Sequence, residues 1–232
     1  QGPRFALGSQ GVEYALVAHW RETGALPRQE TNDTAGPVEQ MLAVSGSVSP
    51  VTAAQIDWAE QNGFAPIPLD AAAIIRNDPS AEDRTFSAAL DALRRNRDPI
   101  IHTARGPDDP AVAAMRQAVT ETGLAMDHAN ARLGAALGRL LARLLKETGL
   151  RRAVISGGDT SGHAARQLGL YAFTALAPTI PGAALLQAHS HDPALAGLQL
   201  ALKGGQMGSP DYFGWIKRGG GTAPQTLERT NA

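Results

Sequence analysis

Short apolar runs alternate with longer amphipathic segments along most of this chain. The short runs are rich in Val, Ile, Leu and Ala and predict strands at 5–7, 39–44, 65–69, 99–104, 153–156, 170–176, 183–188 and 198–203. The longer segments repeat apolar residues every three or four positions and predict helices over 12–23, 50–61, 82–95, 109–122, 127–148, 161–168 and 210–217. This alternation is typical of an α/β protein with a mainly parallel sheet and helices on both faces.

Ligands of such sheets bind at the carboxyl ends of the strands, where this chain carries glycine-rich turns. The first, Ser156–Gly162, reads Ser-Gly-Gly-Asp-Thr-Ser-Gly. Gly157 and Gly158 let the backbone approach a ligand closely, and the helix that follows favours a phosphate at its N-terminus. Thr160 has a hydroxyl for phosphate, and Asp159 is suited to a ribose hydroxyl or a metal-bound water. The alternative is a plain turn in which Ser or Thr caps the helix.

A second turn, Lys203–Asp211, reads Lys-Gly-Gly-Gln-Met-Gly-Ser-Pro-Asp. Gly204 and Gly205 leave little side chain in the way of a phosphate or a flat ring. Lys203, at the strand end, is placed to reach an anion as a point charge. The Ser-Pro-Asp part is equally well explained as a capped helix start at Ser209.

A third turn, Ser45–Ser49, reads Ser-Gly-Ser-Val-Ser and precedes Pro50. Ser49 is a suitable N-cap and Pro50 a suitable first helical residue, so capping explains much of the turn. Ser47 is the candidate ligand contact there. We expect the three turns to meet at one edge of the sheet, where they would form a nucleotide or sugar-phosphate site.

Other candidate chemistry is weak. His189 and His191 lie beside Asp192 and could ligate a metal, but no third ligand has a clear spacing, so a solvated loop is the favoured interpretation and no metal site is predicted. The chain has no Walker A loop, no dinucleotide-binding glycine fingerprint, no Gly-x-Ser-x-Gly elbow and no His-Glu-x-x-His motif. A catalytic residue is therefore not assigned.

Composition excludes some classes of partner. The 232 residues carry a net charge of -1, so no bulk basic field attracts nucleic acid or an anionic membrane. The absence of cysteine excludes disulfides and fits a cytoplasmic protein. No apolar run approaches the roughly 20 residues of a membrane helix.

Composition also predicts the domain organisation. The polar, proline-containing stretch 24–36 is typical of a linker, so we expect the end of another domain at 1–36, a ligand-binding domain at 37–218 and a flexible tail at 219–232. The chain opens on Gln1 rather than Met, and we interpret it as part of a longer protein.

The three turns, in this order, resemble those of the four-carbon acid sugar kinase family, formerly domain of unknown function 1537 and also described as Hrp-dependent type III effector-like. The family pattern is Gly-Gly-Glu-Thr-Ser-Gly at the first turn and Lys-Ser-Gly-Asn-Phe-Gly at the second. Here Asp159 replaces Glu, and the second turn carries Gly204, Gln206 and Met207 in place of Ser, Asn and Phe. The resemblance extends from about Val38 to Lys217.

The resemblance implies the C-terminal, nucleotide-binding domain of a kinase that uses ATP and Mg²⁺. The implied ATP contacts are Ser47, Gly157, Gly158, Asp159, Thr160, Gly204 and Gly205. It implies a small sugar acid of the threonate, erythronate or 3-oxo-tetronate type as acceptor, held with its general base by an N-terminal domain whose end is the opening segment here. A homodimer stays open. The alternatives are a non-catalytic module that senses a nucleotide or sugar phosphate, and an oxidoreductase with a variant dinucleotide fold.

Overall fold

The structure, a computed structural model, describes residues 5–8, 10–27, 34–180 and 182–221. The chain divides into two compact units, residues 1–32 and residues 33–232. The first unit contains helix α1 (Gln10–Glu22). Residues 5–7 form no strand, so the prediction of a strand there is wrong.

The second unit contains a seven-stranded sheet surrounded by helices. Its strands are β1 (Leu42–Ser45), β2 (Phe64–Pro68), β3 (Asp98–His102), β4 (Arg152–Ser156), β5 (Leu170–Pro178), β6 (Ala184–Ser190) and β7 (Gln199–Lys203). Its helices are α2 (Pro50–Gln61), α3 (Ala71–Ile75), α4 (Ser80–Arg94), α5 (Pro110–Thr122), α6 (Met126–Thr148), α7 (Gly158–Gln167) and α8 (Tyr212–Arg218). No helix in the described ranges is both long and apolar enough to cross a membrane.

The sheet has the strand order β2-β3-β1-β4-β7-β6-β5. The five strands from β2 to β7 pair in parallel, and β6 and β5 continue the sheet with antiparallel pairs. The mainly parallel α/β fold is therefore confirmed. Strand β2 contains two prolines and lies at an edge of the sheet, where a missing N–H is tolerated.

Helices cover both faces because neighbouring residues of a strand point to opposite sides. Val44 and Ile155 pack on the face with α3 to α7, while Ala43 and Val154 pack on the face with α2 and α8. The central strands β1 and β4 are buried on both faces, which explains their continuous apolar runs.

The adjacent strands β1 and β4 lead into helices on opposite faces, α2 on one and α7 on the other. Two connections that leave one edge in opposite directions open a crevice between them. Gly46 just past β1 donates its N–H to the carbonyl of Ser156 at 3.1 Å, so the two turns begin side by side. The fold thus places the serine turn and the first glycine turn at a switch point.

Several boundaries differ from the sequence prediction. Helix α7 begins at Gly158 rather than Ser161, and α8 begins at Tyr212 rather than Pro210. Helix α3 has five residues, too few to show a periodic pattern. Of the predicted tail, Gly221 donates to the carbonyl of Pro178 at 2.8 Å, and residues 222–232 lie outside the described residues.

Candidate functional site

A cavity of about 640 Å³ opens at the carboxyl edge of the sheet. One side is built by the turns that follow β1, β4 and β7, and the other by residues after β3 and on helices α5 and α6. Six of the seven predicted contacts line it together, namely Ser47, Gly157, Gly158, Asp159, Thr160 and Gly205. The seventh, Gly204, lies outside the lining. The structure therefore brings the three predicted turns into one site.

The N-terminus of α7 faces this cavity without a side-chain cap. Its N-cap position is Gly157, which has no side chain, and Ser161 donates instead to the Gly157 carbonyl at 2.6 Å. Among the residues that the structure describes, no acceptor bonds the N–H groups of Gly158, Asp159 and Thr160. Three free N–H groups at the positive end of a ten-residue helix are an arrangement that favours an anion. Here the capping alternative of the sequence analysis is wrong.

The two glycines of this turn have different roles. Gly157 has φ +123°, a conformation that side chains rarely adopt, so it forms the bend between β4 and α7. A Cβ at Gly158 would meet no atom within 4 Å, and Gly158 lines the cavity. The open space beside Gly158 is therefore space that a ligand can fill.

The second glycine turn is held against the serine turn by buried polar side chains of α2. Thr52 lies 2.7 Å from the carbonyl oxygen of Gly205 and 3.1 Å from the Ser47 hydroxyl. Gln55 donates to the carbonyl of Met207 at 2.9 Å. A Cβ at Gly205 would overlap the Ser47 hydroxyl, so this close approach of the two turns is itself a reason for glycine here. The predicted capping role of Ser209 is wrong, because its hydroxyl donates to the Asp211 carboxylate at 2.5 Å.

Lys203 does not reach into the cavity as the sequence suggested. Its side chain is 2% exposed, and its ammonium donates to the Gly204 carbonyl at 3.0 Å and to the Thr52 hydroxyl at 3.3 Å. Lys203 lies behind the turns, so its ammonium could affect a bound ligand only through the turn residues or through its electrostatic field.

The pKa of Lys203 gives a testable pH dependence. Burial lowers it to about 8 from an ordinary 10.5, so the unfolded chain holds the proton more tightly between these values. The free energy of unfolding should therefore rise by up to about 1.4 kcal/mol per pH unit above pH 8 through this group. Lys203→Met should lack this rise. Urea unfolding of both proteins at pH 7.5 and 9.5 measures the difference, and parallel pH profiles would contradict it.

The opposite wall of the cavity is largely apolar. It is formed by Ala71, Ala104, Val112, Met115, Met126 and Leu133. Asn130 and the exposed Arg116 are polar groups on the same wall. A cavity with hydrogen-bond donors at one end and an apolar surface at the other suits a ligand with an anionic end and a flat apolar end.

Asp159 is the acidic residue that lines the cavity within the described ranges, beside the free N–H groups of α7. No group of three or more His, Asp or Glu side chains is arranged to hold a metal ion in that part of the chain. A carboxylate at an anion site would repel phosphate unless a cation lay between them. Asp159 therefore fits Mg²⁺, which proteins hold with one or two carboxylates plus ligand phosphates.

The histidine pair and its neighbouring acid are engaged in other contacts. His191 stacks on Tyr171 with ring centroids 4.6 Å apart, His189 lies 2.8 Å from the Thr174 hydroxyl, and Asp192 pairs with Lys146 at 2.7 Å. These contacts give the three side chains structural roles at the β5–β6 edge of the sheet.

Sequence reasoning missed Thr52 and Gln55, as well as the apolar wall. Both side chains are fully buried on α2, three positions apart. A Thr and a Gln on the buried side of a helix were the available signal, because buried polar groups need partners. The wall residues carry no such signal, since apolar residues on α5 and α6 also serve the core.

A family model described as a nucleotide-binding C-terminal domain matches residues 42–213. Among curated relatives, a 3-oxo-isoapionate kinase of Paraburkholderia graminis is 44% identical over 217 residues, covering 93% of this chain and 46% of that protein. A 3-oxo-tetronate kinase of Methylobacterium radiotolerans is 33% identical over 222 residues, covering 91% and 47%. The chain spans about half the length of the curated relatives it matches.

Solved structures share the fold at lower identity. A Haemophilus influenzae protein of the domain-of-unknown-function family 1537 superposes with a TM-score of 0.65 at 23% identity, over 85% of this chain and 44% of that one. A citrate-bound Bordetella bronchiseptica protein, described as a domain-swapped dimer, gives a TM-score of 0.56 at 18% identity, over 81% and 43%. The oligomeric state of the present chain stays a prediction.

Proposed function

The chain belongs to the family of nucleotide-binding C-terminal domains of the four-carbon acid sugar kinases, and we propose that its cavity binds ATP as the phosphate donor for a small sugar acid. The observation that carries this proposal is the uncapped N-terminus of α7. Its three free N–H groups lie where the crevice between β1 and β4 opens, and Gly158 leaves the space beside them empty. This arrangement supports phosphate binding.

The shape of the cavity supports an orientation for the nucleotide. The phosphates would lie against the first glycine turn and the serine turn, and the adenine against Val112, Met115 and Leu133. An adenine ring buries a large apolar area, and a phosphate chain needs donors, so each end of the ligand matches one wall. Arg116 would add positive charge at low ionic strength.

Mg²⁺ would be held by Asp159 together with the nucleotide phosphates, and when bound it would neutralise charge that develops during phosphoryl transfer. The residues of this chain would orient the donor. The N–H groups of α7 would fix the phosphates, and the apolar wall would exclude water from the base.

The acceptor is proposed to be a four-carbon sugar acid or a close relative. Curated relatives are named 3-oxo-tetronate kinase and 3-oxo-isoapionate kinase. Both names designate a small oxidised sugar acid as the substrate of the relative. In the family that the three turns resemble, the acceptor site and the general base belong to the N-terminal domain. Residues 1–232 would therefore supply the donor half of the chemistry.

Calorimetry of residues 1–232 with ADP, ATP, NAD and sugar phosphates tests the proposal. We expect ADP and ATP to bind with Mg²⁺ present, and NAD and sugar phosphates to bind at least tenfold more weakly. Sugar phosphates lack a base for the apolar wall, and in NAD the second phosphate is esterified to a nicotinamide riboside and so is not free to take the helix N-terminus. No phosphorylation of threonate or erythronate is expected from these residues alone. A preference for NAD or for sugar phosphates would overturn the ATP assignment, and sustained turnover would overturn the division of labour.

A further inference from the structure

Lys203 is a cation buried behind the glycine turns. Its side chain is 2% exposed. Within the described part of the chain, no ion pair includes it. Buried lysines are ordinarily paired with an acid, because an unpaired charge in the interior destabilises the fold. Burial of the charged lysine therefore lowers the stability of the ligand-free protein.

The ammonium bonds the Gly204 carbonyl of the second glycine turn at 3.0 Å, and it is connected to two cavity-lining residues through the Thr52 hydroxyl. Lys203 donates to the Thr52 hydroxyl at 3.3 Å, and that oxygen lies 2.7 Å from the Gly205 carbonyl oxygen and 3.1 Å from the Ser47 hydroxyl. Ser47 and Gly205 line the cavity, whereas Lys203 and Thr52 do not. Because a carbonyl only accepts, the Thr52 proton goes to Gly205, and the lysine fills the acceptor position of the same oxygen.

Among the described residues, the groups that pack near the ammonium are neutral or already paired. From α8, Tyr212 presents its ring with the centroid 5.7 Å from the ammonium nitrogen, and burial raises the pKa of its phenol so that it stays neutral. From β4, Ser156 lies opposite in the sheet register. Asp211, before α8, is bonded to Ser209 and Arg218. The free N–H groups of α7 add further positive potential at the cavity.

We propose that Lys203, acting through Thr52, is a positioning residue of the phosphate subsite, whose ammonium holds the second glycine turn to the serine turn and whose charge is balanced by the phosphates of the bound nucleotide. This inference rests on the proposed function of the cavity. A bound polyphosphate places negative charge near the ammonium, which pairs with no carboxylate among the described residues, and the low-dielectric interior between them strengthens the attraction. Phosphate binding then favours the protonated lysine.

Two expectations distinguish this role from a purely structural one. Nucleotide affinity should fall as the pH rises above about 8, the pKa of Lys203 in the free protein, and ADP binding there should take up a proton. Replacing Thr52 should weaken nucleotide binding even though Thr52 does not line the cavity. A residue that only filled space would produce neither effect once the protein was folded.

The test is calorimetry with ADP and Mg²⁺ from pH 7 to 9.5, in two buffers of different ionisation enthalpy. We expect the wild-type dissociation constant to rise at least fivefold over this range, with proton uptake. Thr52→Val should weaken binding at least tenfold at pH 7, and Thr52→Ser, which keeps the hydroxyl, should restore it to within threefold. Lys203→Met should weaken binding at least tenfold and remove the pH dependence.

The outcomes separate this inference from the proposed function. Failure of the wild-type protein to bind ADP at pH 7 would overturn the proposed function and this inference together. Tight wild-type binding with a flat pH profile, or unchanged affinity in folded Thr52→Val, would overturn only the role of Lys203. Circular dichroism checks that each variant is folded, and if Lys203→Met does not fold, the Thr52 pair and the wild-type profile decide the question.

Discussion

Gly158→Val is expected to abolish ADP binding while the protein stays folded. The new side chain would project into open space, because a Cβ at this position meets no atom within 4 Å. That space lies beside the free N–H groups of α7, where the phosphates are proposed to bind. We expect the dissociation constant for ADP, measured by calorimetry with Mg²⁺ present, to rise at least 100-fold, which corresponds to a loss of about 2.7 kcal/mol of binding free energy.

Gly162→Val is the matched control. Gly162 lies one turn further along the same helix and does not line the cavity, and a Cβ there would also meet no atom within 4 Å. Both variants place valine in α7 and carry a similar helix-propensity change, so their stabilities should be similar. The control should bind ADP within threefold of the wild type. Equal affinities in the two variants would remove the N-terminus of α7 from the site.

Arg152→Met is expected to lower the free energy of unfolding by about 3 kcal/mol. Arg152 is 1% exposed, and it donates to the carbonyls of Gly36, Ile216 and Lys217 at 2.7, 3.1 and 3.0 Å and to the Gln199 side chain at 2.9 Å. Methionine fills similar space but donates nothing, so these buried acceptors lose their partner. Urea unfolding at pH 7 measures the loss.

Arg151→Met is the control for this variant. Arg151 is the preceding residue, is exposed, and also donates to carbonyls, including that of Ala194 at 3.0 Å. Water can replace it, so the expected loss is below about 1 kcal/mol. Arg152→Lys, which keeps the charge with fewer donors, should fall between the two. Equal losses in Arg151→Met and Arg152→Met would contradict the account.

Arg152→Met should leave the ADP affinity of the folded protein unchanged. Arg152 opens β4, and the cavity lies past Ser156 at the other end of this strand. Five extended residues separate the ends by about 13–17 Å. Calorimetry below the unfolding transition checks this independence of stability and binding.

Much of the fold could be predicted from the chain alone. The buried strands β1, β3 and β4 are apolar along most of their lengths, so their runs stand out against amphipathic helices. The N-cap at Ser49 was predicted and is confirmed by its 3.2 Å bond from the Val51 N–H. Capping at the other two turns was the wrong alternative. At the first glycine turn, Gly157 forms the bend, so α7 starts three residues before Ser161. At the second, Ser209 bonds the Asp211 carboxylate, and Asp211 takes the N-cap position of α8.

The places where strands end in glycine-rich turns could be read from the chain alone, because glycine positions and apolar periodicity are local properties. It also carried the turn motifs that indicated the family. That Ser47, Gly158 and Gly205 share one cavity could not be read from the chain, since it depends on the strand order that makes β1, β4 and β7 neighbours. The packing of the chain likewise buries Lys203, which the sequence suggested as a phosphate contact, so that its ammonium bonds the Gly204 carbonyl and the Thr52 hydroxyl and does not line the cavity.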